Sequence, residues 1–455
     1  MLANRVERGR YLDSVALMRI ARRVGELPGV EAAALMIGTP SNKALLADAR
    51  LLSSEGKAAE PNDLVIAVRA ADPGRALELA SRLLAEPAVE QAERLRRTRT
   101  LEAALALEPQ ANLALISVPG EFAAAEARKA LERGLHAMVF SDNVPLEDEV
   151  TLKRYAAGRG LLVMGPDCGT ALISGAPLAF ANAVPRGDIG IVSASGTGLQ
   201  EVSCLIARLG GGVSHGIGVG SRDLDERVGG LGMLAAIDAL DADALTRTLV
   251  LISKPPAPRV AREVLERVRR SAKRTVVCFL GSEEPTLART LTQAAEAAIG
   301  RKLDHTPVAL RKVQHGAVRG LYCGGTLAAE AALILRDAGA PGECVDLGDH
   351  CYTRSRPHPM IEPELRNEHI ARALAHAAVG VLLFDVVLGY GAHADPAGVL
   401  IAALKGAQKP AIASVTGTEQ DPQRWSLQVA ALRAAGVHVA PSNAHAAMLA
   451  AASVT

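Results

Sequence analysis

GDIGIVSASGTGLQEVSCLIARLG, residues 187–210, decides the reading of the fold. The apolar run GIVSAS stops at Gly196-Thr197-Gly198, and a helical pattern starts at once. Strand, glycine turn and helix in direct succession form the repeating unit of a parallel α/β sheet. Such a turn lets backbone N–H groups converge on an anion, helped by the N terminus of the helix that follows. Ser193, Ser195 and Thr197 add three hydroxyls. The plainer alternative is a tight turn in which glycine serves backbone geometry alone. The stretch fits neither the P-loop nor the Rossmann dinucleotide pattern, so no nucleotide is implied by motif.

The same unit recurs on both sides. Upstream, NLALISVPG, HAMVFSDN and LLVMGPDCG read as strands separated by helical EFAAAEARKALERG and LEDEVTLKRYAAGRG. Downstream, TLVLISK and RTVVCFLG continue the alternation to about residue 300. Residues 301–317 are basic and polar without a clean period, as in a linker. GLYCGGTLAAEAALILRDAG and VGVLLFDVVLGYGAHADPAGVLIAALKGA then open a third block. Residues 1–108 differ: two strand–helix alternations, with Asp13 and Asp72 as N-caps, suggest a small α+β domain of the ferredoxin-like kind. The expected domains are 1–108, 109–186, 187–300 and 318–455. Architecture repeats, but no short fixed period indicates a solenoid.

Composition fits this layering. Of 455 residues, 49% are hydrophobic and only 2% aromatic, a palette suited to strands buried on both faces. A net charge of +1 offers no field for nucleic acid or an anionic membrane. The six cysteines show no C-x-x-C spacing, the start MLANRVERGR lacks the apolar core of a signal peptide, and no apolar run approaches about 18 residues. A cytoplasmic protein with reduced thiols, away from membranes, is expected.

Ligands of parallel sheets gather beyond the carboxyl ends of strands. Five Gly-, Ser- or Thr-rich loops lie there: Ser193–Gly198, Gly218–Asp223, Cys323–Thr326, Gly389–Asp395 and Thr416–Asp421. Within them Gly220, Ser221, Gly324, Gly325, Thr326, Gly417 and Thr418 are candidates for a substrate or second anion, as is Lys254 in ISKPPAP, unless that lysine is simply solvated. Arg222 could pair a carboxylate or phosphate bidentately, whereas Asp223 reads as a helix cap. His393, between glycines, is a candidate acid or base, or an ordinary surface histidine. Cys168 in GPDCG lacks the histidine partner of a nucleophile. HCYTRSRPHPM, with His350, Arg354, Arg356 and His358, suits an anion-binding or interface arm, and without a zinc spacing no metal is expected.

SVPGEF (117–122), FSDNVPLEDE (140–149), MGPDCGTA (164–171), GIVSASGTGLQEV (190–202), GSRDL (220–224), VLISKPPAP (250–258), GLYCGGTL (320–327), DVVLGYGAHADP (385–396) and VTGTEQDPQ (415–423) together resemble the FdrA family over essentially the whole chain. That family is similar to succinyl-CoA synthetase and ATP-citrate lyase. The resemblance implies a Rossmann-like CoA-binding domain followed by two flavodoxin-like ligase-type domains. It also implies a CoA-pocket-like region at Pro119, Asn143, Gly165, Pro166 and Cys168, and a phosphoryl group on Ser193, Ser195, Gly196, Thr197 and Gly198.

The chain departs from succinyl-CoA synthetase in three respects. FLGSEEPTLARTL (279–291) has no histidine where that enzyme carries phosphate, ISKPPAP stands where a supporting glutamate is expected, and TLEAALALEPQAN (100–112) lacks the Gly-rich loop of the CoA-binding domain. There is no length for an ATP-grasp domain. The FdrA resemblance therefore implies a subunit of a carbamoyltransferase that interconverts oxalurate plus phosphate with oxamate plus carbamoyl phosphate, with no firmly bound cofactor. Its ligands would be small carboxylates and phosphate, and other subunits its partners. Two alternatives stay open: an acyl-CoA synthetase subunit that binds CoA and borrows its ATP domain, and a non-catalytic structural or sensing subunit.

Overall fold

A computed structural model describes residues 1–10, 12, 14–85, 98–304, 315–353 and 357–455. Two compact bodies emerge, Met1–Ala104 with His350–Pro357, and Leu105–Asp349 with His358–Thr455.

In the first body β1 (Leu2–Glu7), α1 (Ser14–Gly25), β2 (Val30–Ile37), α2 (Pro40–Asp48), α3 (Ser54–Lys57), β3 (Leu64–Ala70) and α4 (Pro73–Ala85) follow in order. The strands form an antiparallel sheet, β1-β3-β2. Side chains alternate across β3: Leu64, Ile66 and Val68 pack with Leu17, Val24, Ala76 and Leu83, while Val65 and Ala67 pack with Leu46 and Leu51 on the opposite face. Asp72 accepts the Arg75 N–H at 3.2 Å, the expected cap. Asp13 lies outside the described residues. Among the described residues this sheet has three strands.

α5 (Leu101–Leu107) spans the division at Ala104, and the second body continues with a three-stranded parallel sheet, β4 (Leu113–Ile116), β5 (His136–Val139) and β6 (Val163–Met164), joined by α6 (Gly120–Glu132) and α7 (Leu146–Ala157). Then comes a hairpin that the alternating pattern does not reveal: β7 (Thr170–Ile173) and β8 (Ala176–Ala179), turning through Ser174 and Gly175, both at positive φ. The hairpin lies at the edge of the next sheet, with β7 antiparallel to β10. That sheet is therefore mixed rather than wholly parallel.

Two repeats follow. The first is β9 (Arg186–Ser193), α8 (Gly196–Arg208), β10 (Val213–Gly218), α9 (Leu231–Ala242), β11 (Thr248–Ser253), α10 (Pro258–Arg269), β12 (Arg274–Phe279) and α11 (Leu291–Ile299). The second is β13 (Ala317–Tyr322), α12 (Gly325–Asp337), β14 (Gly342–Asp346), then, after the short α13 (His350–Thr353) that belongs to the first body, α14 (Asn367–Ala375), β15 (Val379–Val387), α15 (Pro396–Leu404), β16 (Ala411–Thr416), α16 (Trp425–Ala434), β17 (His438–Ala440) and α17 (Asn443–Val454). Strand order is β12-β11-β9-β10 in the first and β16-β15-β13-β14 in the second, the same topology twice. Most of the expected linker, 305–314, lies outside the described residues.

One hydrophobic core joins the repeats, with Leu199, Val202 and Ile206 of α8 and Leu327 and Ala331 of α12 in the same cluster. Polar groups fix their register. Glu201, sixth residue of α8, accepts the Asn443 N–H that opens α17. Glu330, sixth residue of α12, accepts the Leu291 N–H that opens α11 at 2.6 Å. Each repeat thus sends a buried carboxyl to the other's last helix, where the positive helix end stabilises it. Asn443 touches both, since its side-chain amide also donates to Glu330 at 2.8 Å. No helix among the described residues is long and apolar enough to cross a membrane.

Candidate functional site

The two leading turns of the repeats meet. Ser195 caps α8, accepting the Gly198 N–H at 2.9 Å, and donates its own hydroxyl to Thr326 Oγ1, the second residue of α12, at 2.6 Å. A Cβ built on Gly324 would lie 3.1 Å from the Thr197 methyl and 3.0 Å from Asp385 Oδ2. Two helix N termini therefore open beside one another, and their first N–H groups are orphans of helix geometry. α12 has no side-chain cap. Gly196 and Gly325 are half-buried.

The β9–α8 turn satisfies itself locally. Ser193, fully buried, donates to the Ser195 carbonyl at 2.7 Å and accepts the Ser195 N–H at 3.1 Å. Its hydroxyl is spent on the turn. Gly198 is glycine because a Cβ there would sit 2.9 Å from Ser195 Oγ and 3.1 Å from an Ile252 methyl.

The β13–α12 turn is held from a distance. Asp385, buried in the apolar strand β15, accepts the N–H groups of Cys323 and Gly324, each at 2.8 Å. Arg366, itself buried, holds Asp385 Oδ1 at 2.6 Å and donates to the Asp385 carbonyl at 2.7 Å. Beside this turn Lys254 emerges from the end of β11, exposed. A Cβ on Gly325 would meet Lys254 Nζ at 3.3 Å and Asp346 Oδ2 at 2.3 Å. Burial pushes the Asp346 carboxyl up to about 6, opposed by the Gly348 N–H and by Lys254. Ser195, Gly196, Thr197, Gly324, Gly325, Thr326 and Lys254, expected from sequence, thus come together.

A second group lines the carboxyl ends of β4, β5 and β6. Pro119 precedes α6, and Gly120 lies so close to Asn143 (φ 56°) that a Cβ would approach its carbonyl carbon to 2.8 Å. Gly220, at φ 90°, presses on Pro166, and Ser221 donates to Asp167 at 2.7 Å. These loops bring Gly165, Pro166, Gly220 and Ser221 into one place. Cys168 is sealed beneath them, its Sγ 3.3 Å from the Gly218 carbonyl, and burial pushes its thiol up to about 12. A thiol that stays protonated is no nucleophile.

Other candidates are occupied. The Arg222 guanidinium pairs with buried Glu149 at 2.9 Å and donates to the Val144 carbonyl at 2.8 Å. Asp223 accepts the Gly232 and Met233 N–H groups at the start of α9, and Lys153 as well. His393 is half-buried, and its Nδ1 accepts the Asp395 N–H at 3.0 Å; no hydrogen bond links it to the helix N termini among the described residues. Gly417 packs against Leu388, and Thr418 donates to the Ala183 carbonyl at 2.6 Å, both tying loops together. Arg354 and Arg356 lie outside the described residues. Among the described residues no cluster of His, Cys, Asp and Glu could hold a metal.

Sequence reasoning missed Asp385, Arg366 and Asp346. A single aspartate inside VGVLLFDVVL was the available signal, because a charge in a fully buried strand must be paired. Nothing in the sequence near Arg366 or Asp346 announces a partner.

Residues 321–453 match the family described as CoA-ligase, and residues 1–100 match "AllF, heavy metal-associated domain". The latter stretch contains neither Cys nor His, so it offers no thiolate or imidazole to a metal ion. Across 97% of this chain and 96% of its own length, "Uncharacterized protein YahF" of Escherichia coli (strain K12) is 40% identical. The succinate–CoA ligase [ADP-forming] subunit alpha of Staphylococcus epidermidis is 25% identical over 43% of this chain and 64% of its own length. A dinucleotide-forming acetyl-coenzyme A synthetase from Ca. Korarchaeum cryptofilum, in complex with phosphate and ADP, aligns at 18% identity over 75% of this chain and 82% of its own, with a TM-score of 0.32. The chain belongs to the family of the Escherichia coli protein YahF, and its residues 321–453 are similar to the CoA-ligase family.

Proposed function

We propose that the chain is a ligase-type subunit that holds the phosphoryl group of an acyl phosphate between the N termini of α8 and α12. The observation that carries this reading is the Ser195–Thr326 hydrogen bond, which sets two first turns side by side. Their N–H groups are preorganised donors and the paired helix dipoles favour a dianion. Lys254 adds a cation beside Gly325. The CoA-ligase match over 321–453, which contains α12, supports the same chemistry. In this reading CoA lies along the loops at Pro119, Asn143, Gly165, Pro166, Gly220 and Ser221, and a partner subunit supplies the nucleotide.

A specific observation favours a second reading. The segment 279–291 has no histidine to shuttle phosphate. Carbamoyl transfer needs neither that histidine nor CoA, and carbamoyl phosphate is itself an acyl phosphate. The chain would then exchange oxalurate plus phosphate for oxamate plus carbamoyl phosphate, with Lys254 on the substrate carboxylate, since Arg222 is already paired with Glu149. Arg222 and His393 remain rim groups in this proposal.

Calorimetric titration with CoA and, separately, with phosphate and carbamoyl phosphate separates the readings. Micromolar CoA binding supports the ligase reading. Binding of phosphate and carbamoyl phosphate without CoA supports carbamoyl transfer. Binding of none of them removes both.

A further inference from the structure

We propose that Asp346 is the proton-carrying group of the phosphoryl site, seated with Lys254 against the first residue of α12. The inference deepens the function proposed above and rests on it.

β14 ends at Asp346, in register with Tyr322, the last residue of β13. The carboxyl therefore stands at the sheet edge from which α12 departs. An acid and a cation crowd the single backbone position Gly325, and any side chain there would displace one of them. Asp346 Oδ1 accepts the Gly348 N–H at 2.8 Å, which leaves Oδ2 facing Gly325. Lys254 Nζ comes to within 3.3 Å of the same Cβ position.

The charges around Asp346 act on its carboxyl in both directions. Burial is the largest cause of its rise to about 6; Asp385 and Asp349 raise it further, while the Gly348 N–H and Lys254 lower it. His358 Nε2 lies against Gly348, and burial pushes that imidazole down to about 4, so it stays neutral over the same range. Arg366 is committed to Asp385.

A group of this kind does what the acyl exchange requires. When a phosphate oxygen bonds to the acyl carbon, the C–N or C–S bond breaks with its electron pair on the heteroatom. The proton on Asp346 Oδ2 goes to that heteroatom. In reverse, the attacking N–H or S–H gives its proton to Asp346 as the acyl–oxygen bond breaks. Phosphate leaves with the pair, held by the helix N–H groups.

Sulfate tests the coupling, because it mimics a tetrahedral dianion and does not titrate near pH 6. Its affinity for the full chain should fall about tenfold between pH 5 and pH 7.5, the equivalent of one unit of coupling to Asp346. Asp346→Asn, checked for an unchanged melting temperature, should bind with one affinity across that range and take up no proton on binding. Lys254→Gln should bind more weakly at every pH yet keep the step. A flat wild-type profile, or an unchanged step in Asp346→Asn, overturns the proton-carrying role and leaves the anion site standing. Failure of both sulfate and inorganic phosphate to bind the wild type at either pH removes the site and this inference with it.

Discussion

The two leading turns do the same job by opposite means. The β9–α8 turn is satisfied by hydroxyls from within itself, Ser193 and Ser195. The β13–α12 turn has no hydroxyl cap and borrows a carboxylate from β15, which in turn needs a buried arginine. Local satisfaction is cheap to lose, because water can replace one hydroxyl at a half-open turn. Remote satisfaction is not, because deleting either partner strands a buried charge.

Asp385→Ala is therefore expected to have the largest effect. It leaves Arg366 uncompensated and two N–H groups without an acceptor, a loss of about 3–5 kcal/mol in urea unfolding. A loss below about 1 kcal/mol would place the turn on the same footing as its counterpart.

Next comes the pair of carboxyls exchanged between the repeats. Burial raises Glu330 from 4.5 to about 7, against the opposing hydrogen bonds from Asn443 and Leu291. The native carboxyl thus keeps a proton that the unfolded chain releases near 4.5. Its contribution is fully present below pH 4.5 and is lost as pH rises through about 7, roughly 3 kcal/mol in all. Glu330→Gln should remove that part of the slope in unfolding measured from pH 4 to pH 8. An unaltered slope would assign it elsewhere.

Ser195→Ala should cost only about 1 kcal/mol in the same unfolding assay, the usual value of an N-cap. Thr326→Val, which keeps shape and removes the hydroxyl, should cost about 0.5–1.5 kcal/mol. If Ser195→Ala matched Asp385→Ala, the contrast between local and remote satisfaction would fail.

This contrast also marks what the sequence disclosed. Ser-Ala-Ser-Gly-Thr-Gly announced its turn because capping and turning are written within a few residues. The alternation of strands and helices, and the Gly-Thr pair that opens both α8 and α12, were legible for the same reason. The β7–β8 hairpin was not, since four-residue strands carry too few positions to show alternation. Asp346 and Arg366 were invisible because their partners lie on other elements, and such pairing depends on topology rather than spacing. Arg222 illustrates the reverse: a free cation in the sequence finds Glu149, on α7, once the chain is folded.

The central claim is that a phosphoryl-type anion sits between α8 and α12. Amide NMR of glycine- and threonine-labelled protein, titrated with inorganic phosphate, tests it most directly. The account predicts saturable shifts at Gly196, Thr197, Gly325 and Thr326, lost in the Ser195→Ala, Thr326→Val double variant. Shifts confined to Gly120, Gly165 and Gly220, or none at all, would contradict it.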